Sequence, residues 1–201
     1  VVARVAAKDL SELAGRIGPR PTGSSGNREA AAYIRRRFAE CGWEIESQEF
    51  EAIDWKPGGY RLTAGGTSVA AQINPYSPGC ELKAPALLFP SADELEAAPP
   101  LHHRIAVLDG EYVSGQIMPK NFVFYNPEEH KRINRLLDEK APAAVIAVAQ
   151  SGPDAKGKIM REGPPLFADG DMKIPSLTVP YRERKKLLDG LHEQVEVMIE
   201  G

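Results

Sequence analysis

Between residues 104 and 149 the sequence runs RIAVLDG, later NPEEHKRINRLLDEK, then AAVIAVA. The first segment (104–110) predicts a strand closed by a glycine turn. The second (126–140) predicts a helix with Asn126 as N-cap, Pro127 at the first helical position and Glu129 completing a capping box. Ile133, Leu136 and Leu137 give that helix one apolar stripe. The third (143–149) is apolar throughout, so its strand is expected to be buried on both faces. Two strands joined through a helix pair in parallel by a right-handed crossover. This unit commits the chain to a sheet with a helix against it, a mixed α/β arrangement.

The flanking sequence is more broken. Glycine (18) and proline (17) among 201 residues exceed ordinary usage of roughly 7% and 5% and argue for short strands and many turns. At the start, Asp9 and Glu12 form a capping-box pattern ahead of Leu10, Leu13 and Ile17, predicting a helix to about Arg16 that Pro19 and Pro21 terminate. A second helix is expected from Ser25 or Asn27, with Ala30, Ile34, Phe38 and Cys41 on one face and Gly42 as a left-handed cap. Arg35, Arg36 and Arg37 are consecutive, so a helix spreads them around a solvated surface. WEIESQEFEA (43–52) alternates imperfectly and reads as an edge strand, and residues 54–79 read as short strands cut by Gly-Gly and Pro turns. APALLF (84–89) predicts a buried strand, and 93–103 a loop with one helical turn. Residues 150–173 form a long polar loop rich in glycine and proline, long enough to suggest function. IPSLTVP is a further strand, YRERKKLLDG a short helix from Pro180 to Gly190, and QVEVMIE (194–200) a strand with Val195, Val197 and Ile199 on one face.

A net charge of -3 gives no electrostatic case for nucleic acid or an anionic membrane as partner, and no apolar run reaches the ~18 residues of a bilayer span. Two cysteines, Cys41 and Cys80, are too few for a disulfide framework and are expected unpaired.

GPRPTGSSGNREAAAYI (18–34) invites comparison with a phosphate-binding glycine loop. Such a loop follows a strand, so that backbone N–H groups converge on the anion. Here a helix precedes it, and neither G-x-G-x-x-G nor G-x-x-x-x-G-K-[ST] spacing is present. The stretch is read as a stiffened turn between two antiparallel helices.

Residues 10–50 resemble the N-terminal segment of the co-catalytic zinc aminopeptidases related to aminopeptidase Y and the transferrin receptor. Gly18, Arg20, Gly23, Ser24 and Asn27 match that family's G-x-R-x-x-G-S-x-x-N turn, and Gly42 its helix end. HRIAVLDG, NPEEHKRINRLLDEK, AAVIAVA and IPSLTVPYRERKKLL resemble, in order, the elements of the protease-associated (PA) domain inserted in such peptidases. The resemblance implies three regions. Residues 1–55 would be two helices and an edge strand of an incomplete zinc-peptidase α/β domain. Residues 56–190 would be a β-rich PA domain with short helices, and 191–201 a strand returning toward a missing catalytic domain. It also implies two zinc ions for the full-length family member, a peptide or protein substrate, and a PA domain covering the cleft.

The family's ligand set begins with His-x-Asp, which this sequence lacks: His102 and His103 precede Arg104 and Ile105, and His192 precedes Glu193 and Gln194. No catalytic, cofactor-binding or metal residue is therefore assigned in this chain. Glu128, Glu129 and His130 are the strongest alternative, but a helix start favours acids, and adjacent helical residues point about 100° apart. Ser24, Ser25 and Ser151 lack a G-x-S-x-G elbow, and Cys41 and Cys80 lack an evident histidine partner. The expectation is an inactive N-terminal and PA-domain portion of a zinc aminopeptidase. A free-standing PA-type binding module using the loop 150–167 is the alternative, and a hydrolase built on Glu128, Glu129 and His130 is a third reading. Exposed apolar stripes on helices 10–16 and 27–41 make self-association an expected property.

Overall fold

The computed structural model describes residues 2–52, 55–113, 115–149 and 172–200. Its contacts divide the chain into two units, Val1–Trp55 and Lys56–Gly201.

In the first unit, α1 (Val2–Leu10) runs on into a π-helical stretch, Ser11–Ile17, and α2 spans Ser25–Glu40. Asp9 is not the expected cap, because the helix begins at Val2 and passes through it. Its carboxylate instead accepts from Tyr33 Oη at 2.6 Å and Arg37 Nε at 2.9 Å. Those partners, with Ala30, share one stripe of α2, so Ala30 and Tyr33 are the buried residues of that helix. Ile34, Phe38 and Cys41, expected on the apolar face, lie beyond the stripe and remain exposed.

The start of α2 is as expected: Ser24 Oγ accepts the Asn27 N–H at 3.1 Å. Its end is a Schellman turn. Gly42 has φ +79°, its N–H reaches Ala39 O at 2.9 Å, the Trp43 N–H reaches Phe38 O at 3.1 Å, and the Trp43 ring stacks on Phe38 at 5.8 Å. The strand expected over 43–52 is absent, those residues being irregular and exposed. A strand is held by a neighbour's ladder, and this unit has none among its described residues.

The second unit contains β1 (Tyr60–Ala64), β2 (Thr67–Ser68), β3 (Gln72–Ile73), β4 (Cys80–Phe89), α3 (Ala92–Ala97), β5 (Ile105–Leu108), α4 (Glu128–Lys140), β6 (Ala144–Val148), β7 (Ser176–Val179), α5 (Arg184–Asp189) and β8 (Gln194–Ile199). The strands form one mixed sheet in the order β2-β1-β8-β4-β5-β6-β7-β3. Strands β4 to β7 are parallel, with the expected β5–β6 pair at their centre. Strands β1, β8 and β3 are antiparallel to their neighbours. The outermost strands β2 and β3 are joined by only residues 69–71, so the sheet has to curl until its edges approach.

Curling creates two apolar layers. Leu62, Val107, Ile146, Leu177 and Val197 fill the concave side, while Leu95, Leu108, Ile133, Leu136 and Ala147 pack on the other. Successive residues of β5 and β6 alternate between these layers, which is why both strands read as unbroken apolar runs. Arg132 ties α4 to α3 through Asp93 (2.6 Å) and Glu96.

Two expected boundaries move. Helix α4 starts at Glu128 with Pro127 as its N-cap, because the Asn126 side chain is turned away and donates to Pro119 O and Lys120 O, both at 3.1 Å. Helix α5 starts at Arg184, after a 3-10 turn over Tyr181–Glu183. The closing strand, β8, lies between β1 and β4 in this sheet. The expected loop 150–173 falls outside the described residues except for its last two.

Two outcomes follow from this packing. A Cβ at Gly190 would sit 2.5 Å from Ala64 C and 2.6 Å from Ala64 O, both backbone atoms, so Gly190→Ala is expected to destabilise the protein by about 2 kcal/mol in urea unfolding. The Asp9 carboxyl is held below the usual aspartate range, first by the Tyr33 hydroxyl and then by Arg37. Its folded pKa being the lower one, the α1–α2 contact is fully present above the unfolded pKa of about 4 and weakens as pH falls through the folded value. An NMR pH titration of the Tyr33 and Arg37 signals is expected to report that loss, and Asp9→Asn to remove it.

Candidate functional site

In open sheets with parallel strands, ligands gather outside the carboxyl ends, where loops from neighbouring strands converge. In the second unit that edge carries the chain leaving β4, β5, β6 and β7. Leaving β4, Ser91 Oγ accepts the Glu94 N–H at 3.2 Å and caps α3. Leaving β5 comes Asp109-Gly110, with the Asp109 N–H on Phe89 O at 3.1 Å. A Cβ at Gly110 would lie 2.2 Å from Pro90 O, so these two loops touch backbone to backbone. Tyr112 closes the same corner by donating from Oη to Phe89 O at 2.7 Å. Burial is the main cause that raises its phenol pKa, with Asp109 and Glu94 adding to it.

The charged group at this edge is Asp109, whose side chain is only 3% exposed. It holds Arg184, the first residue of α5, through two contacts from Nε (3.1 and 2.9 Å) and one from Nη2 (2.8 Å). A forked guanidinium–carboxylate pair of this kind fixes orientation as well as charge. It anchors the exit of β5 to the helix that follows β7. Every donor of the fork that is described points at Asp109, so the pair is a structural clamp.

From this clamp the chain runs through a 3-10 turn, Glu111–Val113, into a loop that lies along α4. Ile117 is fully buried. The Met118 N–H donates to His130 Nδ1 at 3.1 Å, Asn134 Nδ2 donates to Met118 O at 2.9 Å, and Lys120 pairs with Asp138 at 2.6 Å. Beyond these anchors the run Phe122-Val123-Phe124-Tyr125 stands in solvent.

The residues singled out from sequence do not assemble into a reactive centre. Glu128 is exposed and paired with Lys131 at 2.6 Å, Glu129 is exposed, and His130 uses Nδ1 as the acceptor that anchors the loop. His102 and His103 are exposed, and His192 lies 3.7 Å from Glu193. Cys41 and Cys80 are both free, the former exposed and the latter with its thiol pKa raised by burial. Ser24 is the cap of α2, and Ser151 lies outside the described residues. No group of three His, Cys, Asp or Glu side chains among the described residues could hold a metal ion.

The turn at 18–27 proves to be built for geometry. Gly18 and Gly23 take positive φ, and a Cβ at Gly26 would lie 2.5 Å from Pro19 O. The Arg20 guanidinium donates to Gly18 O at 2.8 Å and to Leu13 O, sealing the end of the π-helical stretch. Gly18, Arg20, Gly23 and Ser24 of the G-x-R-x-x-G-S-x-x-N pattern thus each serve the backbone of the turn, while Asn27 contributes only its N–H to Ser24.

Sequence reasoning missed two features. Asp109 was legible only as the last residue of an apolar strand. The FVFY run was an apolar island between Pro119 and Pro127 in what otherwise reads as a polar connection.

No protein-family model matches the sequence, and no curated protein matches it. Solved structures do resemble it, the following two among them. An aminopeptidase from Aneurinibacillus sp. strain AM-1 is 18% identical with a TM-score of 0.64, over 97% of this chain and 44% of that one. A peptidase M28 precursor from Shewanella amazonensis SB2B is 17% identical with a TM-score of 0.53, over 96% and 45%. At such identities the likeness is one of fold, and the chain spans less than half the length of either protein.

Removing the Arg184 side chain would take its three contacts from the buried Asp109 carboxylate. Arg184→Leu is expected to cost about 2 kcal/mol, toward the low end because Arg184 itself reaches solvent. Chemical denaturation measures it, with Arg184→Lys recovering only a fraction of the loss because a lysine cannot fork.

Proposed function

We propose that this chain is the non-catalytic N-terminal and protease-associated portion of a zinc-dependent aminopeptidase, its second unit covering the substrate cleft and restricting access. The observation that supports this best is the fold likeness to an aminopeptidase, which takes in 97% of this chain and less than half of the other. The turn residues Gly18, Arg20, Gly23, Ser24 and Asn27 support it from the sequence side.

Among the described residues no group of side chains would hold the two zinc ions of that reading. His130 is engaged by the Met118 N–H, Glu128 by Lys131, and no His-x-Asp exists in the sequence. The metal and the peptide-bond chemistry therefore belong to the remainder of the protein in this reading, and no hydrolytic step is assigned to these residues.

A second reading, a free-standing peptide- or protein-binding module, is favoured by one observation, the exposed apolar run at 122–125. Sequencing the gene past the codon for Gly201 separates the two. A frame continuing into His-x-Asp and then Glu-Glu supports the aminopeptidase, and a stop codon supports the module.

Both readings predict that the purified 201-residue chain releases no p-nitroaniline from aminoacyl-p-nitroanilides, with or without added zinc, and retains less than one equivalent of zinc after dialysis. Turnover, or stoichiometric zinc by atomic absorption, would refute both.

A further inference from the structure

Residues 118–120 belong to no strand or helix, and their backbone is held by side chains instead. Asn134 Nδ2 donates to Met118 O at 2.9 Å, and Asn126 Nδ2 to Pro119 O and Lys120 O, both at 3.1 Å. The Met118 N–H donates to His130 Nδ1 at 3.1 Å. His130 and Asn134 stand one turn apart on α4, so between them they take both backbone polar groups of Met118. Asparagine amides carry no titratable proton, whereas imidazole does. One anchor of this loop is therefore conditional on a proton.

We propose that His130 is a proton-operated latch: its neutral ring holds the segment from Met118 to Asn126 against α4, and its protonated ring releases it. The proposal is independent of the aminopeptidase reading.

An imidazole nitrogen accepts a hydrogen bond only while it carries no hydrogen of its own. The bond from Met118 thus requires the neutral ring with its hydrogen on Nε2. Protonation places a second hydrogen on Nδ1, pointing at the Met118 N–H, and the acceptor is lost. Because the neutral ring makes the bond, the contact is present above the histidine range of about pH 5 to 8 and is lost as pH falls through it.

The surroundings favour departure of the charged ring. His130 is the third residue of α4, in the first turn, where the positive end of the helix dipole opposes a cation. Its neighbours one turn either way, Asn126, Pro127, Ile133 and Asn134, are uncharged. The acids beside it in sequence are Glu128, paired with Lys131 at 2.6 Å, and Glu129, which is exposed. The loop brings the exposed Tyr125 phenol and a further cation, Lys120, which Asp138 holds at 2.6 Å. The ring itself is half-buried, so an imidazolium has a short way to water.

The test is NMR on the 201-residue protein from about pH 8 to about pH 5. At the upper end, long-range nitrogen correlations are expected to show His130 as the Nε2–H tautomer. As pH falls, hydrogen-exchange protection of the Met118 amide is expected to drop about tenfold. The Asn126 and Asn134 side-chain amide signals are expected to shift with the His130 ring protons. His130→Asn puts an Oδ1 that does not titrate where Nδ1 stood, and is expected to keep Met118 protected across the whole range. His130→Ala is expected to lose that protection already at the upper end, with circular dichroism reporting unchanged helix content.

Met118 protection that stays level through the His130 titration would overturn the proposal. A pH response that survives in His130→Asn would do the same and move the sensitive group to His102, His103 or His192. A response confined to Met118, with both asparagine amides unmoved, would overturn the release of the segment.

Discussion

The sheet of the second unit depends on one ladder. Strand β8 pairs with β1 from Tyr60↔Ile199 to Ala64↔Val195, and on its other side with β4 from Cys80↔Ile199 to Pro85↔Gln194. Without β8 the β1–β2 hairpin would lose its hydrogen-bonded link to β4, and Val195, Val197 and Ile199 would be missing from the concave core. The pairings span more than a hundred residues of sequence, so their loop-closure entropy has to be met before any of that burial is gained. In the parallel centre, β4 to β5 and β5 to β6 are bridged by shorter connections through α3 and α4. The unit therefore joins a locally organised α/β half to an antiparallel half that only its last strand completes.

The same asymmetry explains what was legible in the sequence. Strands β5 and β6 and helix α4 were readable because each side chain there answers to one of two apolar layers, and composition alone carries that message. The cap of α2 and its glycine end were readable because backbone donors and acceptors impose residue types at fixed offsets. Asp9 misled because an acid followed three residues later by Glu12 fits a helix start, whereas its partners, Tyr33 and Arg37, are remote in sequence. Asn126 misled in the same way, its amide being drawn to carbonyls six and seven residues back. The edge strand at 43–52 was an alternation without a neighbour, and alternation is a statement about faces, not about pairing. At the carboxyl edge, the Asp109–Arg184 clamp joins residues 75 positions apart, and nothing local in either announces it.

The site reading turns on how polar side chains are spent. His130, Glu128, Lys120 and Asn126, which include the most chemistry-like residues near the carboxyl edge, are all engaged by structural partners, and three of them hold the loop in place. An atom already held by a structural partner has to give up that partner before the same atom can bind a metal or attack a substrate. What the loop holds out is aromatic surface, whose strength lies in contact area and ring electrostatics. This edge presents aromatic surface, in a fold that resembles solved peptidase structures.

The way into the second unit and the way out of it are neighbours. The Glu200 N–H donates to Gly59 O at 2.8 Å, the Glu200 carboxylate takes the Gly59 N–H at 2.7 Å, and a Cβ at Gly58 would collide with Glu200. A segment whose two ends are clasped together behaves as a bud on a stalk: spliced into a surface turn of another protein, it would ask its host to separate adjacent backbones by no more than a strand spacing. By the same token, a short linker from residue 200 to residue 58 could close the ends, and new termini opened at the exposed Gly66 of the β1–β2 turn would give a circular permutant with the sheet order intact.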